Sequence, residues 1–341
     1  MTLELYPTLR CNLDCAFCDT TDRHRPAVNE LSRDRLFALV DEAAAMGVRR
    51  VFILGGGEPL VARHTPQLMH RIKELGLEGV LTTNGTLFPA ELVRQVVDDG
   101  WDEIHFSVDG PTPEVHDRLR GVRGAFRKTV THICQLNVQK QQRGLPHPRI
   151  ALHFVITNQN HTTLTEMVRL GQALGVFRID FDALIAYRPE QQALRLDSAQ
   201  AQALSQEAAR ALVLADELGI TTTLANFLHP EGLERGQRPP PAPDDPSPKP
   251  EDGPLTGALR GAPCLKAWHY IVVQADGRSS PCCVLAGEGG SVAEASLQDV
   301  WDADPFLLTV REGMSSGRPL PRCRECSPNI LRHEDSIRRA L

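Results

Sequence analysis

Residues 10–18 read RCNLDCAFC and follow closely on a short apolar strand predicted at Leu3–Tyr6. Thiolates are soft ligands that suit iron–sulfur clusters. A cubane cluster needs four ligands, and Cys11, Cys15 and Cys18 supply three of them. The fourth iron is therefore predicted to stay open for a small molecule, which is the property of a catalytic metal site rather than a closed structural one.

Two simpler interpretations of this segment stay open. The spacing i, i+4, i+7 would place the three cysteines on one face of a helix as ordinary buried residues, although Pro7, Asn12 and Asp14 favour a loop. A structural zinc site would require a fourth ligand close by, and His24 is the only candidate.

The composition of the whole chain excludes several classes of function. The 341 residues carry a formal net charge of −6, without the basic excess that nucleic-acid binders use to neutralise phosphates. Residues 1–13 lack the features of a signal peptide, and no apolar stretch approaches the roughly 20 residues that span a bilayer. We therefore expect a cytoplasmic protein that binds neither nucleic acid nor membrane.

The cysteines form two groups along the chain. Three lie near the start and five near the end, and Cys134 lies between the groups. Disulfides are rare in a reducing cytosol, and an odd total of nine argues against complete pairing, so the grouping predicts two separate metal sites. Cys134 lies among apolar residues of a predicted helix and is expected in the core.

Short apolar runs alternate with helical patterns from the start to about residue 225. The predicted strands are Leu3–Tyr6, Val51–Leu54, Val80–Thr82, Ile104–Val108, Ile150–Ile156, Phe177–Phe181 and Thr221–Leu224. Such alternation indicates right-handed crossovers and a parallel sheet. With six to seven units instead of eight, the prediction is an α/β fold, a partial (β/α)6 TIM-type barrel with a small C-terminal α+β iron–sulfur module. In such folds the chemistry lies at the carboxyl ends of the strands.

The domain prediction follows from a change in composition. Proline dominates residues 238–249, which favours extended conformation and indicates a linker or insert. We predict a barrel domain at residues 1–225, a proline-rich linker at 226–262 and a cysteine-bearing module at 263–341.

The CxxxCxxC loop after the first strand, with aromatic Phe17 just before the last cysteine, resembles the radical S-adenosylmethionine (SAM) superfamily. The resemblance implies that Cys11, Cys15 and Cys18 hold a [4Fe–4S] cluster whose open iron is chelated by SAM. It implies reductive cleavage of SAM to a 5′-deoxyadenosyl radical, an external one-electron donor such as flavodoxin or ferredoxin, and contact of Phe17 with the adenine.

Further motifs follow the later strands in the same order as in that superfamily. The segment GGGEP at residues 55–59 ends the second strand; it lacks the Lys-Ser/Thr of a phosphate-binding P-loop, and a plain turn stays open as an alternative. Segments TTNG at 82–85 and SVDG at 107–110 follow the next two strands, and residues 116–121 (HDRLRG) also resemble the superfamily. The implied SAM-binding residues are Gly56, Gly57, Glu58, Pro59, Asn84, Ser107, Asp109 and, after the fifth strand, Asn160.

The C-terminal cysteines predict a second site. Cys264 is followed by a hairpin predicted over residues 268–282 and by a CxxC pair, Cys323 and Cys326; by spacing alone, structural zinc is an equal alternative. The pattern, with a short helix at Ser296–Phe306, resembles the twitch or SPASM extensions of radical SAM enzymes. Because the usual tail is shortened to one CxxC, the resemblance implies one auxiliary [4Fe–4S] cluster. Its predicted ligands are Cys264, Cys282, Cys323 and Cys326, with Cys283 as an alternative to Cys282.

The leading functional hypothesis is an oxidoreductase that acts on a small polar metabolite similar to an aminocyclitol or sugar, with the auxiliary cluster as electron acceptor. A maturase that modifies a peptide or protein side chain, and a non-catalytic iron–sulfur or zinc protein, are the alternatives. No general acid or base is predicted, since His153 and His269 are expected to be satisfied within the structure. Five basic residues are candidate contacts for an anionic substrate or SAM, although a position on the solvated surface is favoured for each: Arg10, Arg118, Arg120, Arg188 and Arg332.

Overall fold

The computed structural model describes residues 1–18, 29–186, 188–229 and 264–324. Cys326, His24, Arg332 and almost all of the predicted linker lie outside the described residues. The chain divides into two compact units. The smaller unit comprises Met1–Leu5, Asn29–Val51 and Pro239–Leu341, and the larger unit comprises Tyr6–Val28 and Phe52–Arg238. The domain boundaries near residues 225 and 263 stay a prediction.

The larger unit alternates strands and helices. Its strands are β3 (Glu78–Thr83), β4 (Glu103–Ser107), β5 (Arg149–Ile156), β6 (Arg178–Ala183) and β7 (Thr221–Thr222), and each pairs in parallel with the next. Its helices are α2 (Thr65–Glu74), α3 (Ala90–Asp98), α4 (Pro113–Arg120), α5 (Ala125–Arg143), α6 (Leu164–Ala173), α7 (Pro189–Gln192) and α8 (Ser198–Glu217). Strand β2 (Arg50–Ile53) crosses the division between the units. Parallel strands joined by helices confirm the predicted α/β class.

The two faces of β4, β5 and β6 differ in chemistry. Phe106, Phe154 and Phe181 are fully buried, and the rings of Phe154 and Phe181 pack with centroids 5.2 Å apart. Alternate residues of a strand point to opposite faces, so these phenylalanines place the apolar core on one face and leave the polar residues of the same strands on the other.

The smaller unit contains the cysteine-bearing C-terminal part. Its elements are β1 (Thr2–Leu5), α1 (Arg33–Ala45), α9 (Lys266–His269), β8 (Tyr270–Val273), β9 (Ser279–Ser280), α10 (Leu297–Ala303), α11 (Pro305–Ser315) and α12 (Pro321–Arg324). Strand β8 lies parallel to β1 and antiparallel to β9, which confirms the predicted hairpin. Arg35 ties the unit together: its guanidinium donates to the carbonyl oxygens of Val292 and Ala295 at 2.7 and 2.8 Å.

Several local predictions were wrong. The helix predicted at Ser296–Phe306 ends at Ala303, because Asp304 caps a new helix that has Pro305 in its first turn. The strand predicted at Thr221–Leu224 ends at Thr222. Cys134 is exposed on α5 and is not a core residue.

No helix in the described ranges is both long and apolar enough to cross a bilayer.

Candidate active site

The cysteine loop, residues 10–18, is held on two sides by main-chain hydrogen bonds. The Glu58 N–H, in the GGGEP segment, donates to the carbonyl oxygen of Arg10 at 2.8 Å. On the other side, the Asp14 N–H donates to the carbonyl oxygen of Arg120, at the end of α4, at 3.2 Å. Hydrogen bonds to the GGGEP segment and to the end of α4 therefore fix the backbone of the cysteine loop.

Two glycines make this close approach sterically feasible. A Cβ on Gly57 would collide with the carbonyl oxygen of Arg10, and a Cβ on Gly121 would collide with that of Asp14. Gly121 also has φ 68°, in the left-handed region that glycine adopts without strain. The segments that press on the cysteine loop therefore require glycine at both contact points.

N–H groups lie near two of the cysteine sulfurs, where they would stabilise the anionic thiolates that bind iron. The Leu13 N–H points to Cys11 Sγ at 3.4 Å, and Asn84 Nδ2 lies 4.0 Å from the same sulfur. Arg120 Nη1 lies 3.7 Å from Cys15 Sγ. Burial raises the pKa of Cys11, and it raises the pKa of Cys15 to about 12. Both thiols are therefore neutral near pH 7 without metal, and metal binding must displace their protons.

The donor set fits a cubane cluster. In the part of the chain that the structure describes, no three His, Cys, Asp or Glu side chains converge as the ligands of a single metal ion would. The thiolates of a cubane bind different irons, so they need no such convergence. Three partly buried cysteines on one fixed loop, with N–H donors directed at the sulfurs of Cys11 and Cys15, meet this requirement.

Glu58 joins the loops that end β2 and β3. Its buried carboxylate accepts hydrogen bonds from Thr83 Oγ1 at 2.7 Å, the Asn84 N–H at 2.7 Å and the Leu60 N–H at 3.1 Å. Burial raises the pKa of Glu58, and these three donors act against that rise. Glu58 thus has a structural role that sequence analysis did not predict.

Asp109 and Arg120 form a buried ion pair behind the cysteine loop. Asp109 is fully buried, and its Oδ2 contacts Arg120 Nε directly. Asp109 Oδ1 also accepts the Val155 N–H at 2.8 Å, and Asn160 Nδ2 donates to the Asp109 carbonyl at 3.0 Å. Burial alone would lower the pKa of Arg120, but the charges of Asp109 and Cys15 raise it, so the guanidinium stays protonated.

Three predicted auxiliary ligands meet in the smaller unit. Cys264, Cys282 and Cys323 pack against one apolar cluster, which consists of Ala267, Leu285, Val310 and Met314. Burial raises the pKa of Cys282, and burial and the neighbouring cysteines raise that of Cys323 to about 12. Cys283 is exposed. The packing therefore favours Cys282 over Cys283, and the ligand set stays a prediction.

The family model of the Radical SAM superfamily matches residues 5–182, and these residues make up more than half of the chain. The chain belongs to the radical SAM superfamily. Residues 264–327 of this radical SAM enzyme match the SPASM iron–sulfur cluster-binding domain. Both resemblances from the sequence are confirmed. The enzyme's cofactors are accordingly a [4Fe–4S] cluster with SAM and an auxiliary iron–sulfur centre.

Similar proteins support the fold and the family. An Fe-coproporphyrin III synthase from Methanosarcina barkeri is 32% identical over 52% of this chain and 42% of its own length, so the match spans less than half of that relative. A PqqA peptide cyclase from Granulibacter bethesdensis is 25% identical over 94% of this chain and 77% of its own length. The crystal structure of Streptococcus suis SuiB bound to S-adenosylmethionine covers 96% of this chain and 72% of its own, with TM-score 0.68 and 19% identity. The partial-barrel prediction is confirmed.

The structure divides the predicted SAM-binding residues of this radical SAM enzyme into two groups. Partly buried positions are Phe17, Gly56, Gly57 and Ser107; buried ones are Glu58, Pro59, Asn84, Asp109 and Asn160. The buried polar side chains brace loops against one another. Their contact with SAM stays a prediction.

Arg120 was misplaced by sequence analysis, which expected it on the surface. It is 8% exposed, because Asp109 and Cys15 provide partners that no local pattern reveals. The segment HDRLRG at residues 116–121 was the available signal, since it also resembled the superfamily.

Burial of His116 is expected to make the folded protein less stable as the pH falls. Burial lowers its pKa to about 3, and the charge of Arg120 adds to this effect. The unfolded chain protonates this histidine near pH 6.5 while the folded chain does not, so the unfolded state binds more protons as pH falls. Between pH 7 and pH 5, the free energy of unfolding should therefore fall by about 2 kcal/mol on account of His116.

Denaturant unfolding of the parent chain and His116→Asn across this range isolates the effect. The asparagine oxygen can accept the Asp109 N–H that His116 Nδ1 accepts at 3.2 Å. We expect a shallower pH dependence in the variant. Equal slopes in the two proteins would contradict the prediction.

Proposed function

We propose that this enzyme cleaves SAM reductively and takes a hydrogen atom from a polar substrate, which is then oxidised or modified. The observation that carries the proposal is the fixed cysteine loop, because three thiolates leave one iron of a cubane for SAM. When bound, the cluster supplies the electron that splits SAM into methionine and a hydrogen-abstracting radical. The protein positions the reactants and excludes side reactions.

The proposed roles follow the loops described above. Cys11, Cys15 and Cys18 hold the cluster. The proposed SAM-binding residues are Phe17, Gly56, Gly57, Glu58, Pro59, Asn84, Ser107, Asp109 and Asn160. Glycines 56 and 57 would allow backbone to approach a ligand closely, and Glu58, which follows them, is anchored to Thr83 and Asn84.

The substrate is proposed as one of two polar classes. A peptide side chain is supported by the similarity to a PqqA peptide cyclase over 94% of the chain. A small aminocyclitol or sugar-like alcohol is the class that sequence analysis favoured, and none of the relatives described above names such a substrate. Deuterium transfer into 5′-deoxyadenosine from a deuterated peptide would support the peptide class, and transfer from a deuterated inositol would support the sugar-like class. Transfer from a deuterated coproporphyrin would instead indicate the tetrapyrrole chemistry that the name of the Methanosarcina relative indicates.

Anaerobically reconstituted enzyme tests the proposal. With dithionite as reductant, in place of the proposed flavodoxin or ferredoxin donor, we expect SAM to be converted to 5′-deoxyadenosine and methionine. We also expect SAM to change the electron paramagnetic resonance (EPR) spectrum of the reduced cluster. The proposal would be refuted if the purified protein bound zinc instead of iron, or if the EPR spectrum of the reduced cluster did not change when SAM was added.

The auxiliary cluster makes a separate prediction. Cys323→Ser should lower the iron content from about eight to about four atoms per chain, the difference of one cubane. SAM cleavage without substrate should persist, because its cluster is held by other cysteines, whereas net oxidation should stop for lack of an electron acceptor. Iron analysis and separate assays of 5′-deoxyadenosine and product measure both effects.

Cys283→Ser is the matched control for this prediction. Cys283 follows Cys282 directly but is exposed, so its replacement should leave about eight irons per chain for two cubanes. Loss of iron from Cys283→Ser, with retention in Cys282→Ser, would instead make Cys283 the ligand.

A further inference from the structure

The face of β4, β5 and β6 opposite the phenylalanines carries a band of polar side chains. The members that share this face by strand register are Glu103, His105, Ser107, Arg149, His153, Arg178, Asp180 and Asp182. Parallel register partners point to the same side of a sheet, so these groups share one face within the larger unit, together with the apolar Ala151 and Val155.

The first part of this surface is closed by internal ion pairs. His105 Nε2 lies 3.1 Å from Glu103 Oε2, and Arg178 Nε donates to Asp180 Oδ2 at 2.9 Å. The side chains of His105 and Glu103 are 9% and 14% exposed. Groups that satisfy one another in this way are structural.

The second part of the surface is more open. His153 Nδ1 lies 3.3 Å from Asp182 Oδ2, and these side chains are 37% and 28% exposed. In the tautomer with its proton on Nδ1, which the neighbouring carboxylate favours, Nε2 on the other side of the ring is a hydrogen-bond acceptor. This is the arrangement in which a histidine serves as a base.

The pair lies close to the cysteine loop. His153 is the register partner of Ser107, in the SVDG segment. Val155 follows His153 by two residues on the same face, about 7 Å along the strand. Val155 packs against the same apolar group, residues 184, 186 and 194, as Phe17 of the cysteine loop. His153 is therefore one strand step away from a residue that shares its packing partners with Phe17.

We propose that His153, oriented by Asp182, accepts a hydrogen bond and then the proton from a substrate hydroxyl adjacent to the carbon that loses hydrogen. The O–H bond breaks, the electron pair stays on oxygen, and the resulting imidazolium pairs with Asp182. The inference rests on the proposed function, because that function supplies the hydrogen abstraction. It replaces the expectation that His153 is only structural.

Acylation by diethyl pyrocarbonate, followed by peptide mass spectrometry, tests the placement in the cluster-loaded enzyme. At a SAM concentration ten times its Kd, only about one site in eleven is free, so acylation of His153 should slow about tenfold. His70, exposed on α2, should react equally with and without SAM, and His105 should stay protected throughout. Asp182→Asn should slow acylation of His153 without SAM, because Nδ1 loses the carboxylate that keeps the proton there and leaves Nε2 as the nucleophile; a purely structural pair predicts an unchanged rate.

The EPR response to SAM separates the two levels of the proposal. A spectrum that ignores SAM would overturn the proposed function and this inference together. A spectrum that responds to SAM, with acylation of His153 unchanged, would overturn the inference alone. N-acetylserinamide, added with SAM, should protect His153 further than N-acetylalaninamide does; equal effects would overturn the assignment of a hydroxyl substrate.

Discussion

Replacing Cys11, Cys15 or Cys18 by alanine, one at a time, is expected to reduce 5′-deoxyadenosine release below detection. Each variant removes one of three thiolates from a cluster that has no spare protein ligand in its loop. Iron should fall from about eight to about four atoms per chain, since the auxiliary cubane is held elsewhere. Iron and sulfide analysis of anaerobically reconstituted protein, with chromatography of the SAM products, measures both quantities.

Cys134→Ala is the matched control for these variants. Cys134 is exposed on α5, outside both predicted ligand sets, so its replacement should leave iron content and SAM cleavage unchanged. A Cys11, Cys15 or Cys18 variant that keeps about eight irons and cleaves SAM would contradict the cubane assignment.

Arg120→Leu is expected to lower the free energy of unfolding by about 3–5 kcal/mol, which is the usual result of leaving one charge of a buried pair without its partner. The variant leaves the fully buried Asp109 carboxylate beside an apolar side chain. It also removes the cation next to Cys15 Sγ, so reconstitution of the first cluster should be poorer. Denaturant unfolding measures the first effect and iron analysis the second.

The double variant Arg120→Leu with Asp109→Asn shows whether the isolated charge is the cause. The asparagine oxygen can still accept the Val155 N–H, so the double variant should regain part of the lost stability. Arg33→Leu is the control, because the Arg33–Asp34 pair is exposed and should contribute less than about 1 kcal/mol. A double variant as unstable as Arg120→Leu would show that lost packing, not the unpaired carboxylate, dominates.

The sequence alone predicted those structural features whose determining residues all lie within one short segment of the chain. The hairpin turn, the strands β3 to β6 and the cysteine loop are of this kind, because turn chemistry and alternation act over a few residues. Proline at position 305 was visible, yet the helix break there was missed, because Asp304 ends one helix and caps the next. Cys134 was placed wrongly because apolar neighbours in sequence do not share one face of a helix.

The sequence by itself determined the family, the three-cysteine loop and the α/β class, since spacing and strand order are properties of the chain. Only the tertiary structure decided which polar groups meet. Arg120 reaches Asp109 and Cys15, and His153 faces Asp182, across separate strands and loops. The reason is physical: burial and ion pairing depend on distances between segments that are remote in sequence, and these exist only once the strands lie side by side.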